Sequence, residues 1–501
     1  MYIPEFHKFE KLIQEFPIVP IAKIIPLKLQ PLEIYTKFSQ KEFFFLLDSA
    51  RFHPKTGRFS FIGFNPFMVF KSKGKKIEII HGEDCEVFDY NPIERLREIF
   101  LSYKSSPHPF FPSFSGGAVG YFAYDVGRLF EDFPQLSIDD IGLPEIYLAF
   151  YDNIIAIDHL ENKIFIISNA WAQADIEKAY RGAIEKIENL SQEMRDGYRI
   201  KEKGLDFVTD EEDDLRIISN FSKEGFEEMV RRAKEYIRKG DIYQANLSQR
   251  FSIETNIEPF LLYRILRAIN PSPFAAYINF PEVKIVSSSP ERLLRVEGSF
   301  VQTRPIAGTR PKGRDAKENL RLRRELILNE KERAEHIMLV DLERNDLGRV
   351  CNYGTVKVDE FMVLEEYSHV IHIVSNVCGI LSENKDRFDL MRSAFPGGTI
   401  TGCPKIRCME IIEELEPVRR GIYCGSIGYL GFNGNMDLNI VIRTFILTQG
   451  RAYVQVGAGI VADSEPTKEY YETLHKAEAL LKAIKIAERN VANQKLQTTG
   501  K

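Results

Sequence analysis

Gly457-Ala458-Gly459-Ile460-Val461-Ala462-Asp463-Ser464-Glu465-Pro466 runs directly into a segment that carries Glu469, Glu472 and Lys476. The glycines free backbone N–H groups to approach an anion, and Pro466 stands where a helix can begin, because its missing donor is not needed there. The positive end of the helix dipole adds to the same anion site. From Glu469 the spacings to Glu472 and Lys476 are three and seven, so two carboxylates and one ammonium share a helical face that can hold a cation and an anion together. A solvated amphipathic helix with incidental charges would show the same spacing. The glycine run ahead of it favours a ligand.

Working outward, the chain has 501 residues, 44% hydrophobic and 28% charged, enough for a sizeable core and two or three ordinary domains. A net charge of -5 with interspersed signs lacks the basic footprint of a nucleic-acid binder, which leaves small molecules or proteins as partners. Six cysteines form no Cys-x-x-Cys pair and are too few for a disulfide scaffold, so reduced thiols are expected. The opening Met1-Tyr2-Ile3-Pro4-Glu5-Phe6-His7-Lys8 lacks a signal-peptide pattern, and no apolar run is long enough to span a bilayer. A cytoplasmic protein with no membrane contact is expected.

Short β-rich segments alternate with turns up to about residue 200: 59–64, 77–80, 154–158 and 164–167, with a helix over 172–195. The charged stretch Lys201–Asp214 cannot bury itself and marks a boundary between an N-terminal region, 1–205, and a second region, 215–490. Ser222 opens a helix with apolar residues at helical spacing, and Gly240 closes it. In the strand that follows, Gln244, Asn246, Ser248 and Arg250 share one face, which by alternation is the wet one. Asn329 and Glu332 form a capping box ahead of a long helix in which Glu335 has apolar neighbours. From Asn490 on, 491–501 reads as a disordered tail.

Glu335, Glu469 and Glu472, the cations Arg443 and Lys476, and glycine turns at 308, 397–398 and 457–459 suggest one site. Carboxylates without His or Cys companions fit Mg²⁺, a hard cation that prefers oxygen. A cation beside Arg and Lys fits a small polyanion such as a dicarboxylate.

Pro305-Ile306-Ala307-Gly308-Thr309-Arg310, Glu335-His336-Ile337-Met338-Leu339-Val340-Asp341, Phe395-Pro396-Gly397-Gly398-Thr399-Ile400-Thr401-Gly402-Cys403-Pro404-Lys405 and the 457–476 block together resemble the chorismate-binding enzymes. The resemblance covers roughly 215–490, and Gly116-Gly117-Ala118-Val119-Gly120-Tyr121 with Leu46-Leu47-Asp48-Ser49-Ala50 extends it towards the N-terminus. It implies an α/β fold in which two facing antiparallel β-sheets form a sandwich with helices outside, the N-terminal region adding strands to it. It further implies that Glu335, Glu469 and Glu472 surround Mg²⁺, and that Gly308, Tyr423, Arg443, Gly457, Gly459 and Lys476 hold the substrate chorismate. Glu291 matches the general acid that protonates the departing ring hydroxyl. His372 matches a residue near the reacting ring, and Thr309 a substrate contact; a lone His on a strand is also often a satisfied core residue.

Members that add water place a lysine base where this chain has Gln244. A neutral amide cannot deprotonate water, so Gln244 implies a chain that uses ammonia, supplied by a glutamine amidotransferase subunit in a heterodimer. Gly240-Asp241-Ile242-Tyr243-Gln244-Ala245-Asn246-Leu247, Tyr124-Asp125-Val126-Gly127-Arg128, Phe150-Tyr151-Asp152 and Gly397-Gly398-Thr399-Ile400-Thr401-Gly402 look more like the aminodeoxychorismate synthase branch, which serves folate synthesis, than the anthranilate synthase branch. Ala307 cuts the other way: many aminodeoxychorismate synthases carry there a lysine that attacks ring carbon C2, and a methyl group cannot. Either ammonia adds directly at C4, or it adds at C2 and yields the anthranilate precursor. The tryptophan pocket of feedback-inhibited anthranilate synthases is matched only in part, by Asp48, Ser49, Pro273 and Phe274. A reading of another class is an idle chorismate or tryptophan sensor, which an intact set of Glu291, Glu335, Glu469 and Glu472 argues against.

Overall fold

Runs rich in Ile, Val, Phe and Tyr pair into antiparallel ladders, as their β-propensity requires. Phe59–Gly63 lies beside Asn153–Asp158 with Ile62 opposite Ile155, and Asn153–Asp158 beside Lys163–Trp171 with Ile154 opposite Ile167. The computed structural model describes residues 2–51, 56–196, 207, 215–366 and 370–499. The charged boundary stretch Lys201–Asp214 therefore lies outside the described residues, Phe207 apart.

The strands form two sheets, of 13 and 12 strands. Both regions of the sequence enter both sheets. In the larger, Phe44–Asp48 pairs with Phe274–Asn279, placing Asp48 opposite Ala275. In the smaller, Gly117–Phe122 pairs with Ser426–Gly431, placing Gly120 opposite Gly428. The inner faces meet through aromatic rings: Phe45 on Tyr151 (centroids 4.7 Å apart), Phe61 on Tyr429 (5.7 Å) and Tyr147 on Phe280 (4.6 Å). Each such side chain contributes roughly 1.5–3 kcal/mol by leaving water. On the outer face of the larger sheet lie helices Phe6–Glu15, Ile176–Arg195, Pro259–Ile269 and Pro466–Thr499. The arrangement is a sandwich with helices outside.

Helix ends follow local chemistry. Ser222 Oγ accepts the Gly225 N–H at 3.1 Å at the start of Lys223–Lys239, and Gly240 ends that helix at φ +81°, a conformation glycine adopts without strain. Asn329 Oδ1 accepts the Glu332 N–H at 3.0 Å at the start of Glu330–Gly348, but the capping box is not closed: Glu332 Oε1 accepts from Arg310 Nη1 at 2.9 Å instead. The last helix begins at Pro466 and continues through Thr499, where the sequence suggested a disordered tail from 491; no Gly or Pro before Thr499 interrupts it.

Candidate active site

The strand Gln244–Glu254 pairs with Arg451–Ile460, which sets Ser248 opposite Gly457 and Asn246 opposite Gly459. The glycine run is thus a strand, not the loop at a helix N-terminus that its composition suggested. Its missing side chains make room for others. A Cβ on Gly457 would overlap Asn246 Oδ1 and lie 2.9 Å from Tyr423 Oη, and one on Gly459 would lie 2.6 Å from Gln244 Nε2. The polar face of Gln244–Glu254 is not wet either. Gln244, Ser248 and Arg250 are buried, the Asn246 N–H donates to Thr401 O (2.9 Å), and Ser248 Oγ donates to Glu416 (2.9 Å). On this face Asn246 Nδ2 donates to Thr399 O at 3.5 Å and Ser248 meets Glu416, whereas the helix Lys405–Leu415 packs on the apolar face with Ala245 and Leu247.

Lys476 Nζ bridges these strands to the last helix, donating to Gly457 O at 2.8 Å and pairing with Glu472 at 2.8 Å. Arg443, at φ +54°, donates from Nη1 to the Lys476 carbonyl at 2.6 Å. Among the described residues no carboxylate lies within ion-pair distance of Arg443, although Glu472 is near enough to stabilise its charge while burial opposes it. A half-buried guanidinium beside a lysine, with one carbonyl partner, is suited to receive an anionic group.

Glu335 faces this helix. Burial raises its pKa first, Lys331 at 3.8 Å lowers it, and Glu332, Glu469 and Glu472 raise it further. Its charged neighbours are thus Lys331 and three carboxylates, beside the burial that the sequence suggested. Glu469 is likewise raised, by burial and then by Glu472, against a hydrogen bond from Ser464. Glu332 is a fourth acid that the sequence reading passed over, although 332/335 repeats the three-residue spacing of 469/472. Among the described residues no group of three or more His, Cys, Asp or Glu side chains is disposed to hold a metal ion by itself. The donor set nonetheless fits a hard cation: convergent, mutually repelling carboxylates gain from a divalent ion whose remaining ligands are water and substrate oxygen.

On the opposite side, Glu291 is buried between Lys284–Ser289 and Arg292–Glu297. Burial pushes its pKa up to about 8. The nearby Thr399 side chain and the Ile306 N–H (3.3 Å to Oε1) lower it, and Glu343 raises it. The carboxyl is thus protonated at neutral pH, as a general acid must be. Ala307, next to that Ile306, presents only a methyl group on the same strand.

Across the ladder, His372 is opposite Thr309, with Nδ1 3.0 Å from Thr309 Oγ1 and 3.3 Å from Gly308 O. A carbonyl can only accept, so Nδ1 carries the proton. Burial lowers the ring's pKa to about 4, which keeps it neutral. Arg443 and Lys476 also oppose its charge, which places it near the anion-binding pair. Gly308 adopts φ +67°, and a Cβ there would meet Glu332 Oε2 at 2.9 Å.

Asp48, Ser49, Pro273 and Phe274 are also brought together, at the ends of the paired strands Phe44–Asp48 and Phe274–Asn279, with Phe274 opposite Ser289. Asp48 already accepts from Tyr263 Oη (2.7 Å), Arg267 Nε (2.6 Å), Ser60 Oγ (2.9 Å) and Tyr35 Oη (3.1 Å). Ser49 Oγ donates to Phe59 O at 2.6 Å, Pro273 is buried, and the Phe274 ring lies 4.9 Å from the Arg292 guanidinium. These are hydrogen-bonded or packed groups of the fold.

Residues 43–482 match the chorismate binding enzyme family. Anthranilate synthase component 1 of Acetivibrio thermocellus is 46% identical over 491 residues, covering 97% of this chain and 99% of that protein. Aminodeoxychorismate synthase component 1 of Bacillus subtilis is 42% identical over 475 residues, covering 94% and 98%. The crystal structure of anthranilate synthase component I from Streptococcus pneumoniae superposes with a TM-score of 0.76 at 36% identity, covering 91% of this chain and 98% of that one.

Proposed function

The chain belongs to the chorismate binding enzymes, of the anthranilate synthase and aminodeoxychorismate synthase type, and from that premise we propose that it replaces the C4 hydroxyl of chorismate with ammonia, giving 4-amino-4-deoxychorismate for folate synthesis. The observation that carries an elimination of hydroxide is Glu291, a buried carboxyl that keeps its proton up to about pH 8. Glu291 donates that proton to the ring oxygen, the carbon–oxygen bond breaks and water leaves. Ammonia forms the new carbon–nitrogen bond, and one proton of the added nitrogen restores Glu291. Arg443 and Lys476 bind substrate carboxylate, and neutral His372, fixed by Gly308 and Thr309, lines the ring. Glu335, Glu469 and Glu472 would hold Mg²⁺, which when bound neutralises a ring carboxylate and orients it.

Gln244 supports ammonia over water as nucleophile, because a neutral amide offers no base to deprotonate water while ammonia needs none. A glutamine amidotransferase subunit is the proposed ammonia source. A second reading, anthranilate synthase, is favoured by Ala307, since no lysine stands there to attack C2, and by the 46% identical relative. The product decides between them. The protein is incubated with chorismate, ammonium and Mg²⁺: anthranilate fluoresces unaided, whereas aminodeoxychorismate becomes aromatic only when a lyase is added. Fluorescent anthranilate without lyase would establish the second reading, and no turnover of chorismate would sink both.

A further inference from the structure

The strand Gln244–Glu254 is bonded along one edge by Arg451–Ile460. Its other edge meets only short partners, Gly402–Cys403 beside Gln244 and Ala245, and Ile217–Ser219 beside 251–253. Between these two, no strand among the described residues bonds the backbone of Asn246 and Ser248. The Asn246 N–H donates instead to Thr401 O at 2.9 Å, its carbonyl accepts from Arg420 Nη2 at 2.6 Å, and the Ser248 N–H donates to Glu416 Oε1 at 2.8 Å.

Arg420 and Glu416 form a buried pair, with side chains 1% and 3% exposed, joined from Nε to Oε2 at 3.0 Å and from Nη2 to Oε1 at 2.7 Å. The remaining nitrogen, Nη1, donates to Ile400 O at 2.7 Å. One guanidinium therefore holds two backbone carbonyls from distant parts of the chain. One belongs to the strand that carries Gln244, the other to the turn that carries Thr399, the neighbour of Glu291. Its central carbon also stands 4.9 Å from the Tyr124 ring and 5.8 Å from that of Tyr423, whose hydroxyl reaches Gly457.

We propose that Arg420, fixed by Glu416, is a positioning residue for the amination site: it ties the turn at 398–403 to the strand Gln244–Glu254 and so sets Gln244 against Thr399 and Glu291. This rests on the proposed amination of chorismate.

A buried ion pair adds little stability over well-packed apolar side chains of the same volume, because both charges give up their water. What this pair adds is direction. A guanidinium presents its N–H donors in a rigid planar fork, and here the fork is filled by the Glu416 carboxylate and the two carbonyls, whose relative positions it dictates. A lysine ammonium, a point charge on a flexible stem, can neutralise Glu416 but cannot reproduce that fork.

The test is Arg420→Lys, which keeps the charge beside Glu416 and loses the fork. At saturating chorismate, ammonium and Mg²⁺, kcat for chorismate consumption should fall about 10²-fold, the loss that a displacement of about 1 Å brings. KM for chorismate should change less than about threefold, because Arg443 and Lys476 are untouched. A folded Arg420→Lys with wild-type kcat, or with a raised KM alone, overturns the proposal. Should that variant not fold, Glu416→Gln, which takes the charged partner from Arg420 in the same volume, decides by the same reading with an expected loss of about tenfold. Hydrogen exchange read by mass spectrometry needs no turnover and so survives a failure of the chorismate reading. In the variant that folds, 244–249 should exchange about tenfold faster, while 250–254, bonded to Ile217–Ser219, keeps its rate. Unchanged exchange over 244–249, or equal acceleration along the whole strand, overturns the proposal and leaves the pair a packing element.

Discussion

The carboxamide of Gln244 occupies the space above Gly459, with Nε2 2.6 Å from where a Cβ would stand, and Asn246 and Tyr423 occupy the same space above Gly457. At Gly459 the obstacle is the end of a flexible side chain. At Gly457 it includes the Leu247 carbonyl at 2.9 Å, which cannot turn aside. Gly457→Ala should therefore cost about 1–3 kcal/mol of stability in urea unfolding, whereas Gly459→Ala should spare stability and lower kcat/KM by displacing Gln244. Equal stability in both variants would mean that the strands part without cost.

Glu291, the proposed general acid, can donate only while protonated. Since burial holds its pKa near 8, kcat/KM should be sustained below that pH and decline as pH rises through it. Glu291→Gln should bind chorismate in calorimetry but lose about 10²- to 10⁴-fold in kcat. A raised KM with unchanged kcat would make Glu291 a binding residue only.

Burial raises both Glu335 and Glu469; Glu469 and Glu472 add to the rise at Glu335, and Glu472 adds to it at Glu469, so a divalent cation should relieve both. Chelation should abolish turnover and Mg²⁺ restore it, and Glu472→Gln should stay inactive at any practical Mg²⁺ concentration because it loses a charge and a ligand. Full activity in that variant would remove Glu472 from the metal site.

Asp48 anchors Tyr35, Ser60, Tyr263 and Arg267 in the larger sheet. Asp48→Ala leaves the Arg267 guanidinium without its carboxylate and should destabilise the protein by about 3–5 kcal/mol, read as a fall in thermal midpoint. Unaltered stability together with lost tryptophan sensitivity would instead make Asp48 a pocket residue.

The sequence alone determined several helix caps, the strand-forming runs and the motifs that mark the family. Ser222, Gly240 and Pro466 act through their own backbone neighbours, and strand runs such as 154–158 and 164–167 carry their pairing preference in their composition. The proposed roles of Glu291, His372, Arg443 and Lys476 came from the family resemblance and not from their spacing along the chain. What those groups do electrically was decided only by tertiary structure. Gln244 alternates like a residue on a wet face, yet it is buried, lying over the side-chain-free Gly459. Glu332 could cap its own helix, yet Arg310 takes its carboxylate. Glu343 looks like any helical glutamate, and is buried beside Gly398 only when helix 330–348 packs on a turn far along the chain. Helix caps and strand runs are set by residues a few positions apart, whereas desolvation and charge coupling are set by whatever the fold brings within a few ångströms, and spacing along the chain does not encode that.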